Sequence, residues 1–191
     1  MDRILVPPLE AYLCSRRQPK ENNELIVNTP QQTFRAALGQ FFVKETSTEN
    51  LAAARSLIER SETAGADLLV LPECIIARRL GMPDWGQKHA EPLDGPFVSG
   101  LREATRGRRV TVVCTVQAKI ANESRYANDL LVIQNGELRL TYQKIHLYDA
   151  FRGKESSYAA PGDVLPQVLQ IGPFKVGFLT CLSLIHISEP T

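Results

Sequence analysis

Three polar residues stand where apolar runs end. Glu73 directly follows DLLVLP, Cys181 closes KVGFLTC, and Lys144 lies within YQKIHLYDAF. A carboxylate at the exit of a buried strand is either a general base held in low-dielectric surroundings or a surface Glu that opens a loop. A cysteine at a strand's end is either a small core hydrophobe or a nucleophile. In the second case the backbone N–H groups that follow can steady its thiolate and later an oxyanion. Cys74 and Cys114 read as the core kind. The neighbours of Lys144 include Tyr142, Ile145, Leu147, Tyr148 and Phe151, which is unusually apolar for an exposed loop. A lysine among them keeps its charge only when carboxylates partner it. His146 is a possible acid–base group, with orientation of the lysine loop as its plainer role. Tyr148, Asp149 and Phe151 either line a pocket or simply pack the loop.

The elements that must position these residues alternate in type. RAALGQFFV has the content of a buried strand. Thr46 and Glu49 then form a capping box, with Leu51, Ala54, Leu57 and Ile58 on one face of the helix that follows and Gly65 at its end. ADLLVLPE reads as a strand buried on both faces. Phe97, Leu101 and Ala104 mark a second helix, and Val110–Val116 a third buried strand. Asp129–Gln134 and Leu138–Tyr142 flank Asn135-Gly136, a hairpin-turn signal. A long loop spans Lys144–Asp163, and Lys175–Cys181 reads as another core strand. Strands alternating with helices, plus one hairpin, indicate a layered α/β fold with a mixed sheet.

Composition excludes several classes of function. The chain has 191 residues, 43% hydrophobic and 23% charged, which suits one packed domain. Its formal net charge of +1 gives no basis for a nucleic-acid or anionic-membrane partner. No run approaches the roughly 18 apolar residues of a membrane span. Pro7 and Pro8 interrupt the only apolar stretch near the start, so no secretory signal is expected. Cys14, Cys74, Cys114 and Cys181 form no C-x-x-C pair, which points to neither zinc nor a disulfide framework. A reduced, cytoplasmic setting is the expectation.

DLLVLPE, then Y-x-K-x-HLYDAF followed by ES, then KVGFLTC resemble, in order and spacing, the motifs of the nitrilase, or carbon–nitrogen hydrolase, superfamily. The resemblance covers residues 34 to 181. It implies an α/β fold, a nitrilase-like α-β-β-α sandwich, with Glu73 as base, Lys144 as oxyanion partner, Cys181 as nucleophile and Glu155 as a second, positioning carboxylate. It also implies hydrolysis of a small-molecule amide through a thioester, with no metal or organic cofactor, no nucleic-acid or membrane partner, and a homodimer in the full-length parent. KIHLYDAF with ES, PLDGPF upstream and a later Pro-Gly look most like the deaminated glutathione amidase branch, whose products are 2-oxoglutarate and cysteinylglycine. The ω-amidases share much of this wording. Nitrile or carbamoyl-amine hydrolysis, or a non-catalytic binding module on the same fold, are the competing readings.

The resemblance stops at the cysteine. Family members continue with Tyr or Trp and then Asp-x-Arg-Phe-Pro-Glu, whereas this chain reads LSLIHISEPT. That stretch is similar to the in-frame translation of a sequencing adaptor. The expected organisation is therefore a leader or over-extended start at 1–33, a partial hydrolase domain at 34–181, incomplete at its C-terminus, and a non-native tail at 182–191. His186 belongs to that tail and is not read as a partner of Cys181. A fragment ending so close to its nucleophile is expected to be inactive.

Overall fold

The computed structural model describes residues 3–5, 33–151 and 153–184. Most of the expected leader (1–2 and 6–32) and most of the expected tail (185–191) lie outside the described residues.

Two long neighbouring strands form the centre: β4 (Thr111–Lys119) and β5 (Tyr126–Gln134), each buried at every position but its last. Their Val, Leu, Ile and Cys side chains suit strands covered on both faces. On one side of β4 lie β2 (Ala36–Gln40) and β3 (Leu68–Val70), running parallel to each other and to β4, with β1 (Arg3–Leu5) antiparallel outside β2. On the other side, β6 (Glu137–Gln143) pairs antiparallel with β5. Beyond the end of β6, β7 (Ala159–Ala160) pairs parallel with the start of β5. The result is a seven-stranded mixed sheet. The β5–β6 hairpin turns through Asn135 (φ 49°) and Gly136 (φ 79°), the left-handed pair that matches strand twist.

One face of the sheet carries the helices. α1 (Ser47–Thr63) buries Asn50, Ala54, Leu57, Ile58 and Ser61, and α3 (Pro96–Thr105) buries Phe97, Val98 and Leu101. They pack on Ala37, Leu69, Val112, Cys114, Val116, Leu131 and Ile133. Thr46 caps α1 by accepting from the Glu49 N–H at 3.4 Å. Glu49 does not close the reciprocal half of the box: its carboxylate takes the Thr46 hydroxyl (2.6 Å) and pairs with Lys44 (3.0 Å), because that cation lies within reach. A short helix, α2 (Trp85–Lys88), was not apparent from periodicity. The opposite face, with Leu68, Val113, Leu130, Val132, Leu140 and Tyr142, packs on Ile171 and Phe178. Ile171 belongs to a second, two-stranded sheet of β8 (Leu169–Ile171) and β9 (Phe174–Val176). The described layers are thus helix, sheet and second sheet. No described helix is long and apolar enough to cross a membrane.

Two expected strands come out differently. RAALGQFFV is not buried throughout: only Ala36–Gln40 is extended, with alternating burial, and Leu38 is 47% exposed. It lies toward the sheet's edge, where Ala36 packs on the cluster of Leu68 and Ile171 while Leu38 and Gln40 stay exposed. KVGFLTC is a strand only to Val176, because β8 is its one partner in the described chain. Gly177–Thr180 leave the ladder and lead into a 3₁₀ turn at Cys181–Leu184.

Asp129 conflicts with its surroundings. It lies in mid-β5 between Val116 and Gln143, 8% exposed, and no described residue donates a hydrogen bond to its carboxylate. Burial pushes its pKa up to about 6. A folded pKa above the unfolded value near 3.9 gives stability that is complete below pH 4 and lost as pH rises through 6. Asp129→Asn should therefore raise unfolding stability by about 1–3 kcal/mol at pH 8. Denaturation of the two proteins should converge near pH 4; a constant difference from pH 4 to 8 would assign the effect to something other than charge.

Candidate active site

The site is built on one rung of the sheet. Gln117 on β4 pairs with Asn128 on β5, and the Lys144 N–H donates to the Asn128 carbonyl (2.9 Å) at the gap between β6 and β7. Residues directly opposite in a ladder point to the same face. Gln117, Asn128 and Lys144 therefore share the face of Leu130 and Tyr142, looking away from the helices. The far side of Lys144 is held by Gly162, whose N–H donates to the Lys144 carbonyl (2.9 Å). A Cβ on Gly162 would strike the Gln143 carbonyl, so glycine is required for this approach.

Glu73 arrives on the loop after β3. Pro72 has no N–H to continue the ladder. Beyond it the Ile75 N–H returns to the Thr115 carbonyl (3.0 Å), and side chains of β4 hold the rest: the Cys74 N–H donates to Thr115 Oγ1 (2.7 Å), the Ile76 N–H to Gln117 Oε1 (3.0 Å), and Gln117 Nε2 to the Cys74 and Ala77 carbonyls (3.0 Å each). Glu155 begins the 3₁₀ turn Glu155–Ser157. Its Oε2 accepts from the Tyr148 N–H (2.7 Å) while its own N–H donates to the Tyr148 carbonyl (3.1 Å), which closes the loop into a ring. Asp149 secures the same turn by accepting from the Ser156 N–H (2.9 Å) and hydroxyl (2.5 Å).

These supports bring three charges together. Lys144 Nζ lies 3.0 Å from Glu73 Oε1 and 3.1 and 3.0 Å from the two oxygens of Glu155. Lys144 is only 2% exposed. Burial works to lower its pKa, but Glu73 and Glu155 outweigh it and the ammonium is raised to about 12. The lysine is thus a fixed cation, as the partner argument from its apolar neighbours required. Asn128, which the sequence reading passed over, donates from Nδ2 to Glu73 Oε1 (2.8 Å) and Glu155 Oε1 (3.4 Å). An amide inside YANDLLVIQ was the available signal: an Asn within so apolar a strand needs a polar partner.

Cys181 opens its 3₁₀ turn with φ +48°, a strained value for a residue with a Cβ. Ser183 braces the turn, donating its N–H to the Thr180 carbonyl (2.9 Å) and accepting from the Tyr142 hydroxyl (3.0 Å). Cys181 is the exposed member of the described cysteines. Burial, with the charges of Glu73 and Glu155, pushes the Cys74 thiol up to about 12, and burial alone does the same to Cys114. Those two thiols stay protonated and inert.

A cavity of about 560 Å³ joins Glu73, Lys144, Glu155 and Cys181, with Tyr126, Tyr148 and Tyr158 among its walls. Arg78 and Arg79 also line it. Of the residues considered as pocket lining, Tyr148 reaches the cavity. Asp149 does not, being engaged by Ser156, and Phe151 is fully exposed at a left-handed backbone position (φ +54°). His146 lies on the lysine loop and is not among the cavity's walls. Among the described residues no group of three His, Cys, Asp or Glu is arranged to hold a metal.

Residues 35–187 match the carbon-nitrogen hydrolase family. Deaminated glutathione amidase of Escherichia coli O157:H7 is 32% identical over 148 residues, which cover 78% of this chain and 56% of the relative. Omega-amidase NIT2 of Xenopus tropicalis is 27% identical, covering 78% and 54%. The chain spans about half the length of the curated relatives it matches. A CN-hydrolase superfamily protein of Xanthomonas campestris superposes with a TM-score of 0.68 at 23% identity, covering 81% of this chain and 55% of that one. An amidase from Nesterenkonia sp. does so with a TM-score of 0.65 at 25% identity, covering 78% and 55%. With the fold and the matched span in agreement, the chain belongs to the carbon-nitrogen hydrolase family.

Proposed function

We propose that this chain carries the nucleophile, base and oxyanion cation of an amidase that cleaves linear C–N amide bonds through a thioester on Cys181. The observation that carries this reading is the Glu73–Lys144–Glu155 cluster opening into one cavity with Cys181. Glu73 takes the Cys181 proton as the thiolate attacks the amide carbon. Lys144 and backbone N–H groups near Cys181 stabilise the tetrahedral oxyanion, at roughly 3–4 kcal/mol per well-placed donor. Glu73 returns the proton to the departing nitrogen. It then deprotonates a water, which attacks the thioester, releases the acid and restores the thiol.

The substrate we infer is deaminated glutathione. The similarity to the Escherichia coli amidase supports it. So does the cationic wall of the cavity: Arg79 is engaged by Glu45 (3.6 Å) and lies over the Trp85 ring, whereas no described carboxylate pairs with Arg78. An unpaired guanidinium suits a substrate carboxylate. We place the activity in a chain that continues past Cys181 with family sequence; the 191-residue chain alone should give under a hundredth of its turnover.

The test is release of 2-oxoglutarate from deaminated glutathione, with acid-quenched mass spectrometry of the peptide bearing Cys181. The expected results are an acyl group on Cys181 and a kcat/KM at least tenfold above that for simple ω-amides. Turnover with Cys181 unmodified would overturn the thioester route. Preference for simple ω-amides would transfer the assignment to the ω-amidase reading.

A further inference from the structure

Glu73 receives both of its donors on one oxygen. Lys144 Nζ (3.0 Å) and Asn128 Nδ2 (2.8 Å) both bond Oε1, and no described residue donates to Oε2. Asn128 is fully buried, and its Oδ1 has no partner among the described residues. The two neighbouring carboxylates fix this orientation, because a flipped amide would set its carbonyl oxygen against them. A buried orphan acceptor is destabilising. A residue selected only to fill the core would avoid that cost, and a leucine is nearly the same size. The amide has therefore been placed for its donors.

We propose that Asn128 is a positioning residue. It clamps Oε1 of Glu73 against Lys144 so that Oε2 faces the cavity as the oxygen that accepts the Cys181 proton. Asn128 is not among the cavity's walls. It acts through Glu73, and its second, longer bond to Glu155 (3.4 Å) ties the two carboxylates to a single amide. The rung geometry makes this possible: Asn128 is held on both sides, by Gln117 on β4 and by the backbone of Lys144. The inference rests on the amidase reading for its kinetic consequence, but not for its effect on the thiol.

The experiment compares the parent with Asn128→Leu, which removes the donor without adding charge, and Asn128→Asp, which keeps the shape. The probe is iodoacetamide at pH 7, with alkylation of Cys181 followed by peptide mapping, alongside kcat, KM and thermal melting of the family-continued chain. Cys181 alkylation should slow about tenfold in both variants. For Asn128→Leu, kcat should fall 30-fold or more with KM within twofold, the acid limb of the pH–rate profile should move up by about one unit, and the melting temperature should hold within a few degrees. Unchanged alkylation in either folded variant overturns the proposal, whatever the substrate is. Slowed alkylation in a protein that hydrolyses no amide supports the clamp and removes the amidase reading instead. If Asn128→Leu does not fold, Asn128→Asp decides by the same alkylation readout.

Discussion

Replacing Lys144 with methionine will destabilise the fold by about 3–5 kcal/mol and abolish amide turnover. The side chain is 2% exposed, and its ammonium is the only cation within hydrogen-bonding distance of Glu73 and Glu155 among the described residues. Methionine fills the same space, so no cavity arises to explain a loss. What remains is two carboxylates, both bonded to the Asn128 amide, with nothing to neutralise them. Glu73, 37% exposed, keeps contact with solvent, but Glu155, 11% exposed, is left buried and uncompensated. The pH dependence identifies the cause. Burial lowers the Lys144 pKa, the two carboxylates more than restore it, and the net value is raised to about 12. A raised folded pKa gives stability that is complete below the unfolded value near 10.4 and lost as pH rises through 12. Urea denaturation should therefore show the largest gap between the proteins from pH 7 to 10, narrowing above pH 11. A loss under 1 kcal/mol at pH 8 would mean that Lys144 and Glu155 do not form a buried ion pair.

Much of this site was legible because chemistry conflicts with burial in a linear sequence. Glu73 and Lys144, 71 positions apart, were each conspicuous as charges set in apolar runs, and ionic pairing is the usual way such charges survive. Glu155 was different. ES in a polar loop carries no local signal, and only the family motif singled it out; the ring it closes with Tyr148 depends on a loop conformation that pattern does not encode. Asn128 was missed because the strand was started at Asp129 rather than at Tyr126. With the strand three residues longer, Asn128 falls in the two-residue register of Leu130 and Val132, on the side that faces Lys144. Phe151 failed for the opposite reason: an aromatic residue in a loop suggests burial, but hydrophobicity does not tell which way a turn points it. Strand content was overestimated at KVGFLTC, since an apolar run reports that a strand can form and not how many neighbours it has.

Burial and charge together distinguish the two thiols at the cavity. Cys74 follows Glu73 directly and lines the same cavity, yet desolvation, and after it the charges of Glu73 and Glu155, disfavour its thiolate. Cys181 reaches the cavity from a separate turn, exposed. The fold thus presents two sulfurs to one space and holds one of them protonated, chiefly by desolvation. In the proposed mechanism this leaves Cys181 as the thiol that Glu73 deprotonates.

Glu73→Gln tests that partnership most directly, and kcat should fall at least 10³-fold. Gln keeps an oxygen that can accept from Lys144 and Asn128, so the clamp and the loop after β3 survive. Lys144 retains Glu155 as a counter-charge, and the melting temperature should change by no more than a few degrees. The change is confined to the other end of the group. An amide nitrogen replaces Oε2, and where a proton acceptor faced the cavity a donor now stands. Cys181 loses its base for attack, the departing nitrogen loses its acid, and the thioester loses its water activator, three steps with a single cause. The loss should appear in kcat with little change in KM, because a group acting only in the transition state contributes nothing to ground-state binding. Glu155→Gln gives the contrast. Glu155 donates no proton to the chemistry proposed here, so its variant should lose activity through displacement of Lys144, with a smaller fall in kcat and a larger loss of stability. Equal kinetic losses from the two substitutions would mean that both carboxylates hold the lysine and that the proton from Cys181 goes elsewhere.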